Sequence, residues 1–232
     1  MPKPLVIAHR GASAAHPPGN TIEAFRAARS LGADWVELDV RRLADGALAV
    51  HHDADLPDGR ALHELGAAEL PEWVPLLDAA LEACEGMGVN VEIKNHPSEA
   101  GYDERAVVCD AVVARLVDDE PSRWLVTSFD LATVDRVHAL APQLPTGLLM
   151  FDLEGPAEAV AAAAGHGHVA FNPWDPFVDA ELVERCVEAG LDLYPWTVDD
   201  PVRMAELIGL GVAGVISNLP DVLRSVVDAA DR

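Results

Sequence analysis

An α/β fold of the (β/α)8 TIM-barrel type is predicted by three features of this 232-residue sequence. Short β-branched runs alternate with longer helical patterns along the whole chain. There are roughly eight such runs, each followed by a helix, and no extra terminal block. The glycine fingerprint GxGxxG, expected after the first strand of the rival doubly wound sheet, is absent.

The elements follow in order. Leu5–Ala8 reads as the first strand, because its apolar stretch is too short for a signal-peptide core. Thr21–Leu31 is a helix with Ile22, Phe25 and Ala28 at helical spacing, and Asn20 with Glu23 suggests a capping box. Trp35–Val40 is the second strand, and Ala47–His51 a short extra one. Asp53 to Glu72 lacks clear periodicity and reads as a βα loop over the barrel mouth. Leu76–Gly86 carries Leu77, Ala80, Leu81 and Cys84 on one helical face. Val89–Ile93 is a strand and Glu104–Asp118 a helix. Then come Trp124–Thr127 with Leu131–Leu140, Thr146–Met150 with Pro156–Gly165, and His168–Phe171 with Ala180–Ala189. Leu191–Pro195 precedes Pro201–Leu210, and Gly214–Ser217 precedes a last helix from Asp221 to Ala229. Gly32, Gly190 and Gly211 suit helix C-caps. Residues 1–232 are expected to form a single domain.

Composition narrows the function. The chain is 50% hydrophobic and 24% charged, ordinary for a globular core. Its net charge of −23, from 39 acidic and 16 basic residues, argues against nucleic acid and against stable membrane association. A small phosphate-containing substrate stays compatible, because a bound cation and a few local Lys or Arg reverse the field at one site. No apolar run approaches the length of a membrane span. Cys84, Cys109 and Cys186 are odd in number and form no CxxC pair, so they read as buried thiols of a cytoplasmic protein. The oligomeric state is left open.

The chemistry gathers in the first third. Glu37 and Asp39 are two apart on a strand, so their side chains share a face. Two carboxylates inside a barrel repel unless a cation or base sits between them. Oxygen donors of this kind suit Mg²⁺, Ca²⁺ or Mn²⁺ better than zinc. Glu92 is a natural third ligand, and Lys94 shares its face. Solvated strand-end charge is the plainer alternative for Glu37 and Asp39, and the company of Glu92 and Lys94 weighs against it. His9 ends a strand, Arg10 suits bidentate contact with phosphate, and Gly11 frees the backbone to turn. His51-His52-Asp53 offers two histidines on opposite faces. Two histidines facing each other across a phosphodiester would serve as base and acid.

Other residues read more plainly. Asn172-Pro173-Trp174-Asp175 is taken as a loop rather than a pocket wall. His166 and His168 are taken as loop residues, since nothing nearby in sequence completes a metal set. Asp199 and Asp200 read as helix caps, and Trp35 and Trp124 as core or barrel-floor packing.

His9-Arg10-Gly11, Pro18-Gly19-Asn20-Thr21, the stretch from Gly32 to Val40, Asp45-Gly46, His52-Asp53 and Glu92-Ile93-Lys94 together carry a resemblance to the glycerophosphodiester phosphodiesterase family, and it runs along the length of the chain. Ser128-Phe129, Trp196-Thr197-Val198 and the segment from Gly211 to Asp221 add to it. It implies a barrel that hydrolyses glycerophosphodiesters to glycerol 3-phosphate and an alcohol with Mg²⁺ or Ca²⁺, Mn²⁺ being possible. By that resemblance Glu37, Asp39 and Glu92 match the metal ligands, and His9 and His52 the acid–base pair. Arg10 and Lys94 match the phosphate-holding groups, and Trp196 an aromatic residue at the pocket mouth. The chain departs from the family pattern at Gly19 and Ala213, where carboxylates are usual. It also replaces an Arg-Thr-Thr stretch with Asp55-Leu56-Pro57-Asp58-Gly59-Arg60. Two further functions remain open: a lysophospholipase D-like phosphodiesterase, and a non-catalytic barrel that binds metal and phosphate.

Overall fold

The structure, a computed structural model, describes residues 3–151 and 155–231. Its elements run β1 Leu5–His9, α1 Ile22–Ser30, β2 Trp35–Arg42, β3 Leu48–Val50, α2 Leu77–Ala83, β4 Gly88–Ile93, α3 Val107–Leu116 and β5 Trp124–Ser128. They continue with α4 Leu131–Leu140, β6 Thr146–Met150, α5 Pro156–Gly165, β7 Ala170–Pro173, α6 Ala180–Ala189, β8 Asp192–Leu193, α7 Pro201–Leu210, β9 Gly214–Ser217 and α8 Pro220–Ala230. The strands pair in the order β8-β7-β6-β5-β4-β2-β1-β9, parallel throughout. Backbone bonds from Ala213 N to Leu193 O (3.1 Å) and Ile216 N to Pro195 O (2.9 Å) link the two ends. The result is a nearly closed barrel of eight parallel strands with helices between them, as the alternating pattern predicts.

Strand alternation sorts the core into an inside and an outside. Val36, Leu38 and Val40 of β2 and Val89, Val91 and Ile93 of β4 point outward and pack with Phe25, Leu81 and Val112 of the helices. On the other half, Val6, Phe171 and Val215 pack with Leu182, Met204 and Leu223. Inside, Ile7, Leu125, Ala170, Tyr194 and Ile216 form an apolar floor, with Trp35 and Ala213 against it. Ala213 therefore lies at the floor, where its backbone helps close the barrel, and not at the mouth. Trp124 is fully buried in the outer core, as expected.

Two local expectations are corrected. The cap of α1 is Thr21, whose side chain accepts from Ala24 N at 3.2 Å, and not Asn20. Asn20 turns the other way, toward the barrel mouth. Of the two aspartates before α7, only Asp200 caps it, accepting from Val202 N. The extra strand is real: β3 pairs antiparallel with the end of β2. The segment after it folds over two short 3-10 turns and an apolar cluster of its own, from Leu43 and Ala49 to Leu62 and Val74.

Gly11 has φ of +76°, and a Cβ there would stand 2.6 Å from the Ala24 carbonyl carbon and 2.9 Å from Phe25 N. Those are backbone atoms of α1 and have nowhere to move. Gly11→Ala is expected to lower stability by roughly 2 kcal/mol or more, by strain at a positive φ plus overpacking. Thermal unfolding of the variant measures it, and an unchanged melting temperature would contradict the packing described.

Candidate active site

Parallel register brings the predicted residues together at the carboxyl ends of β1, β2 and β4. His9 pairs with Glu37 across β1 and β2, and Asp39 pairs with Glu92 across β2 and β4. Glu37, Asp39 and Glu92 point inward, are almost wholly buried, and each offers a carboxylate oxygen within 4.8 Å of the others. Among the described residues Glu37 Oε1 has no hydrogen-bond partner, and Asp39 Oδ1 and Glu92 Oε1 have only the Lys94 ammonium beside them. Three buried carboxylates so sparsely partnered are what an oxygen-preferring divalent cation satisfies, so the residues fit such an ion.

Two basic side chains offset part of the negative charge. Lys94 Nζ lies 3.0 Å from Asp39 Oδ1 and 2.5 Å from Glu92 Oε1, without the alignment of a hydrogen bond to either. Arg10 Nε lies 3.4 Å from Asp39 Oδ2, and the Arg10 backbone N–H donates to Glu37 Oε2 at 2.9 Å. Burial would raise Asp39, but Lys94 and Arg10 hold it below the usual carboxylate range. Burial pushes Glu92 up to about 7, with Asp39 adding to the rise and Lys94 opposing it. Burial, then Asp39 and Glu92, raises Glu37 well above its ordinary value. The triad is thus poorly compensated by protein charge alone.

The loop from Arg10 to Asn20 is braced without a glutamate at position 19. Gly19, at φ +80°, packs where a Cβ would meet the Arg10 and Ser13 Cβ atoms at 2.8 Å. That close approach lets Asn20 N donate to Arg10 O at 2.9 Å. Asn20 Nδ2 then donates to Asp39 Oδ2 at 2.7 Å and ties the loop to the carboxylate triad. Arg60 takes no part; it pairs with Asp58 at the surface.

His9 and His52 have different surroundings. His9 Nε2 stands 3.9 Å from Glu37 Oε2. Its Nδ1 is 2.7 Å from Asn218 Oδ1. Asn218 Nδ2 donates to Asp199 Oδ2 at 2.7 Å, which fixes the amide with its oxygen toward His9. His9 Nδ1 therefore carries the proton and Nε2 the lone pair. Burial, then the Arg10 charge, lowers His9 to about 4, so it is neutral near pH 7. His52 is more exposed, and its Nδ1 lies 2.7 Å from Asp53 Oδ1. Burial lowers it too, against the pull of Asp39. The His52 carbonyl accepts from Arg41 Nε at 2.9 Å. His51 faces away, with Nδ1 2.9 Å from the Asp53 carbonyl and its ring against Trp73.

A cavity of about 240 Å³ is lined by His9, Arg10, Glu37, His52, Glu92 and Lys94, with Phe129, Phe151 and Trp196 on its apolar side. Trp196 is held by a bond from its Nε1 to Asn172 O at 2.8 Å. A larger groove of about 1000 Å³ adjoins it, sharing His52, Glu92, Lys94, Phe129 and Phe151 and adding Leu148, Met150 and Trp174. Trp174, expected in a plain loop, is a wall of this groove. Of the irregular segment from Asp53 to Glu72, no residue lines either space; Ala54, Leu62 and His63 border a small neighbouring cavity of about 60 Å³ beside Lys94. Sequence reasoning missed Asn20, Asn218 and Asp199 as parts of the site. For Asn218 the signals were its place at the end of the last strand run and within the Gly211–Asp221 segment that adds to the family resemblance.

A parallel barrel whose mouth gathers carboxylates, imidazoles and two fixed cations in one cavity belongs with enzymes acting on phosphate esters. The profile of the glycerophosphoryl diester phosphodiesterase family matches residues 9–222. A glycerophosphodiester phosphodiesterase of Caldanaerobacter subterraneus is 33% identical over 97% of this chain and 98% of its own. A phosphodiesterase of Oleispira antarctica, solved in complex with the product sn-glycerol-3-phosphate, is 26% identical, covers 97% of each chain and superposes with a TM-score of 0.86. A glycerophosphodiester phosphodiesterase of Thermotoga maritima is 25% identical, covering 96% of this chain and 98% of its own, with a TM-score of 0.81. The chain belongs to the glycerophosphoryl diester phosphodiesterase family.

Proposed function

We propose that this chain hydrolyses glycerophosphodiesters to glycerol 3-phosphate and an alcohol, with a divalent cation held by Glu37, Asp39 and Glu92. One observation carries the reading: Glu37 and Glu92 of the buried carboxylate triad line one cavity with His9, His52, Arg10 and Lys94, and Asp39 stands between them just beneath it. The Oleispira relative's bound glycerol phosphate supports the same substrate class. The cation, when bound, supplies charge that polarises the phosphoryl oxygen. Arg10 and Lys94 face the same cavity and offset the charge that grows on the phosphoryl oxygens. His9, with its lone pair on Nε2, takes the proton of the attacking hydroxyl. That hydroxyl is water or the substrate's own glycerol 2-hydroxyl. His52 protonates the departing alcohol from its imidazolium form, which burial disfavours and the Asp39 charge and the Asp53 hydrogen bond favour. Trp196, Phe129 and Phe151 shelter the centre from water.

The cation is Mg²⁺ or Ca²⁺ by its all-oxygen donor set, with Mn²⁺ next in line. The whole chain acts as one domain in this reading, and three buried free thiols suit a reducing cytoplasm. Among the described residues no helix is long and apolar enough to cross a membrane. Incubating the protein with glycerophosphocholine and each of Mg²⁺, Ca²⁺ and Mn²⁺ should release glycerol 3-phosphate and choline. No release with any cation would favour the non-catalytic barrel instead.

The larger groove favours a second reading. Its apolar wall of Leu148, Met150, Phe151 and Trp174 suits an acyl chain, as a lysophospholipase D-like substrate would present. On lysophosphatidylcholine this reading predicts release of lysophosphatidate, with kcat/KM at least equal to that on glycerophosphocholine. The leading reading predicts the reverse order.

A further inference from the structure

A second cluster of ligand-type side chains lies at the opposite end of the barrel, where β6 and β7 begin. Asp135 and His138 stand one turn apart on α4. His166 caps the C-terminus of α5, and His168 follows it just before β7. Far apart in sequence, these elements are neighbours because consecutive helices of a barrel pack side by side. His166 Nδ1 lies 2.8 Å from Asp135 Oδ1 and 2.9 Å from Oδ2. His168 Nε2 lies 3.2 Å from Asp135 Oδ1. One ligand atom from each of the three falls within 4.8 Å of the others.

The deciding residue is His168. Its side chain is 0% exposed, yet its Nε2 has no aligned hydrogen-bond partner among the described residues. Its other nitrogen, Nδ1, is 2.9 Å from Thr146 Oγ1. The Thr146 hydroxyl serves either tautomer, as acceptor or as donor, and Nε2 faces an Asp135 carboxylate oxygen across 3.2 Å. Either a proton on Nε2 or a cation between the two groups satisfies that contact. Metal-bound histidines commonly have their second nitrogen held in this way. A tetrahedral zinc with bonds of about 2.0–2.1 Å sets its ligand atoms about 3.3–3.4 Å apart; the His168–Asp135 separation of 3.2 Å is close to this, and the 2.8–2.9 Å between His166 and Asp135 has to open by about half an ångström on binding.

We propose that Asp135, His166 and His168 form a second metal site, selective for Zn²⁺ and remote from the mouth. Imidazole and carboxylate donors in threes suit zinc better than Mg²⁺ or Ca²⁺, which take oxygen alone. His166 and Asp135 are partly exposed, so the ion enters from solvent and water takes the fourth position. The ion ties α4 to the connection between α5 and β7, which makes the site a structural clip.

The test uses the full chain titrated with zinc chloride by calorimetry, in excess Mg²⁺ to occupy the mouth. A parallel titration uses the Glu37→Gln/Asp39→Asn double variant. Both proteins should take up one zinc, with a rise in melting temperature. His166→Gln and Asp135→Asn, at partly exposed positions that need no repacking, should each weaken zinc binding at least ~10-fold. They should leave phosphodiester turnover unchanged. Zinc uptake unaffected by either substitution, or absent when the mouth is filled or disabled, would overturn the site.

Discussion

His52→Ala is expected to lower turnover of glycerophosphocholine by ~10²–10⁴-fold, the range of a lost general acid or base. His9→Ala should fall in the same range. The two losses should part when the leaving group changes. Choline is a poor leaving group and needs a proton; p-nitrophenolate leaves without one. If His52 is the acid, His52→Ala should lose much less on bis(p-nitrophenyl) phosphate than on glycerophosphocholine. Where water is the nucleophile, His9→Ala should lose as much on both, because that water must still be deprotonated; bis(p-nitrophenyl) phosphate has no hydroxyl of its own to attack with. The assignment rests on hydrogen bonding: Asp199 orients Asn218, and Asn218 Oδ1 holds the proton on His9 Nδ1. Steady-state rates of both variants on both substrates decide it. Near-normal turnover by either variant on glycerophosphocholine would remove that histidine from the reaction, and a reversed pattern would exchange the two roles.

The barrel was legible because its signal is periodic and repeated. Each strand run carries apolar residues for the outer core, and each helix carries a stripe to cover them, so no single element had to be certain. The mouth was legible for a related reason. Glu37 and Asp39, or Glu92 and Lys94, share a face by alternation alone, and the parallel register then sets Asp39 beside Glu92. What escaped was everything that depends on side chains meeting across long stretches of chain. Asn20 looks like a cap in sequence and is a ligand of Asp39 in space, because Gly19 lets the loop close on Arg10. Asp199 looks like a cap and instead holds Asn218, 19 residues away. His166 and His168 looked incomplete as a metal set because Asp135 stands a whole helix earlier. Local patterning carries no information on such pairs.

Removing divalent cations with EDTA is expected to reduce turnover to background, and Glu92→Gln to reproduce most of that loss. Glu92 is buried among Asp39, Glu37 and Lys94, and glutamine keeps its shape while removing one charge and one strong donor oxygen. Disturbing only the surroundings of a metal ligand costs about 10–100-fold in affinity, so losing the ligand charge should cost at least ~10². The protein should still fold, because the substitution also relieves repulsion among three buried carboxylates. Lys94, freed from Glu92, then has Asp39 as its one acidic partner among the described residues and is held more firmly there, which works further against cation binding. Calorimetric titration with Mg²⁺ and Ca²⁺ measures the affinity, and rates at saturating cation separate weak binding from a damaged reaction. Recovery of near-normal kcat at high cation would give Glu92 a binding role alone; persistent loss would make the position of the cation part of the rate enhancement. Full turnover in EDTA would show that the carboxylate triad serves some purpose other than holding a cation.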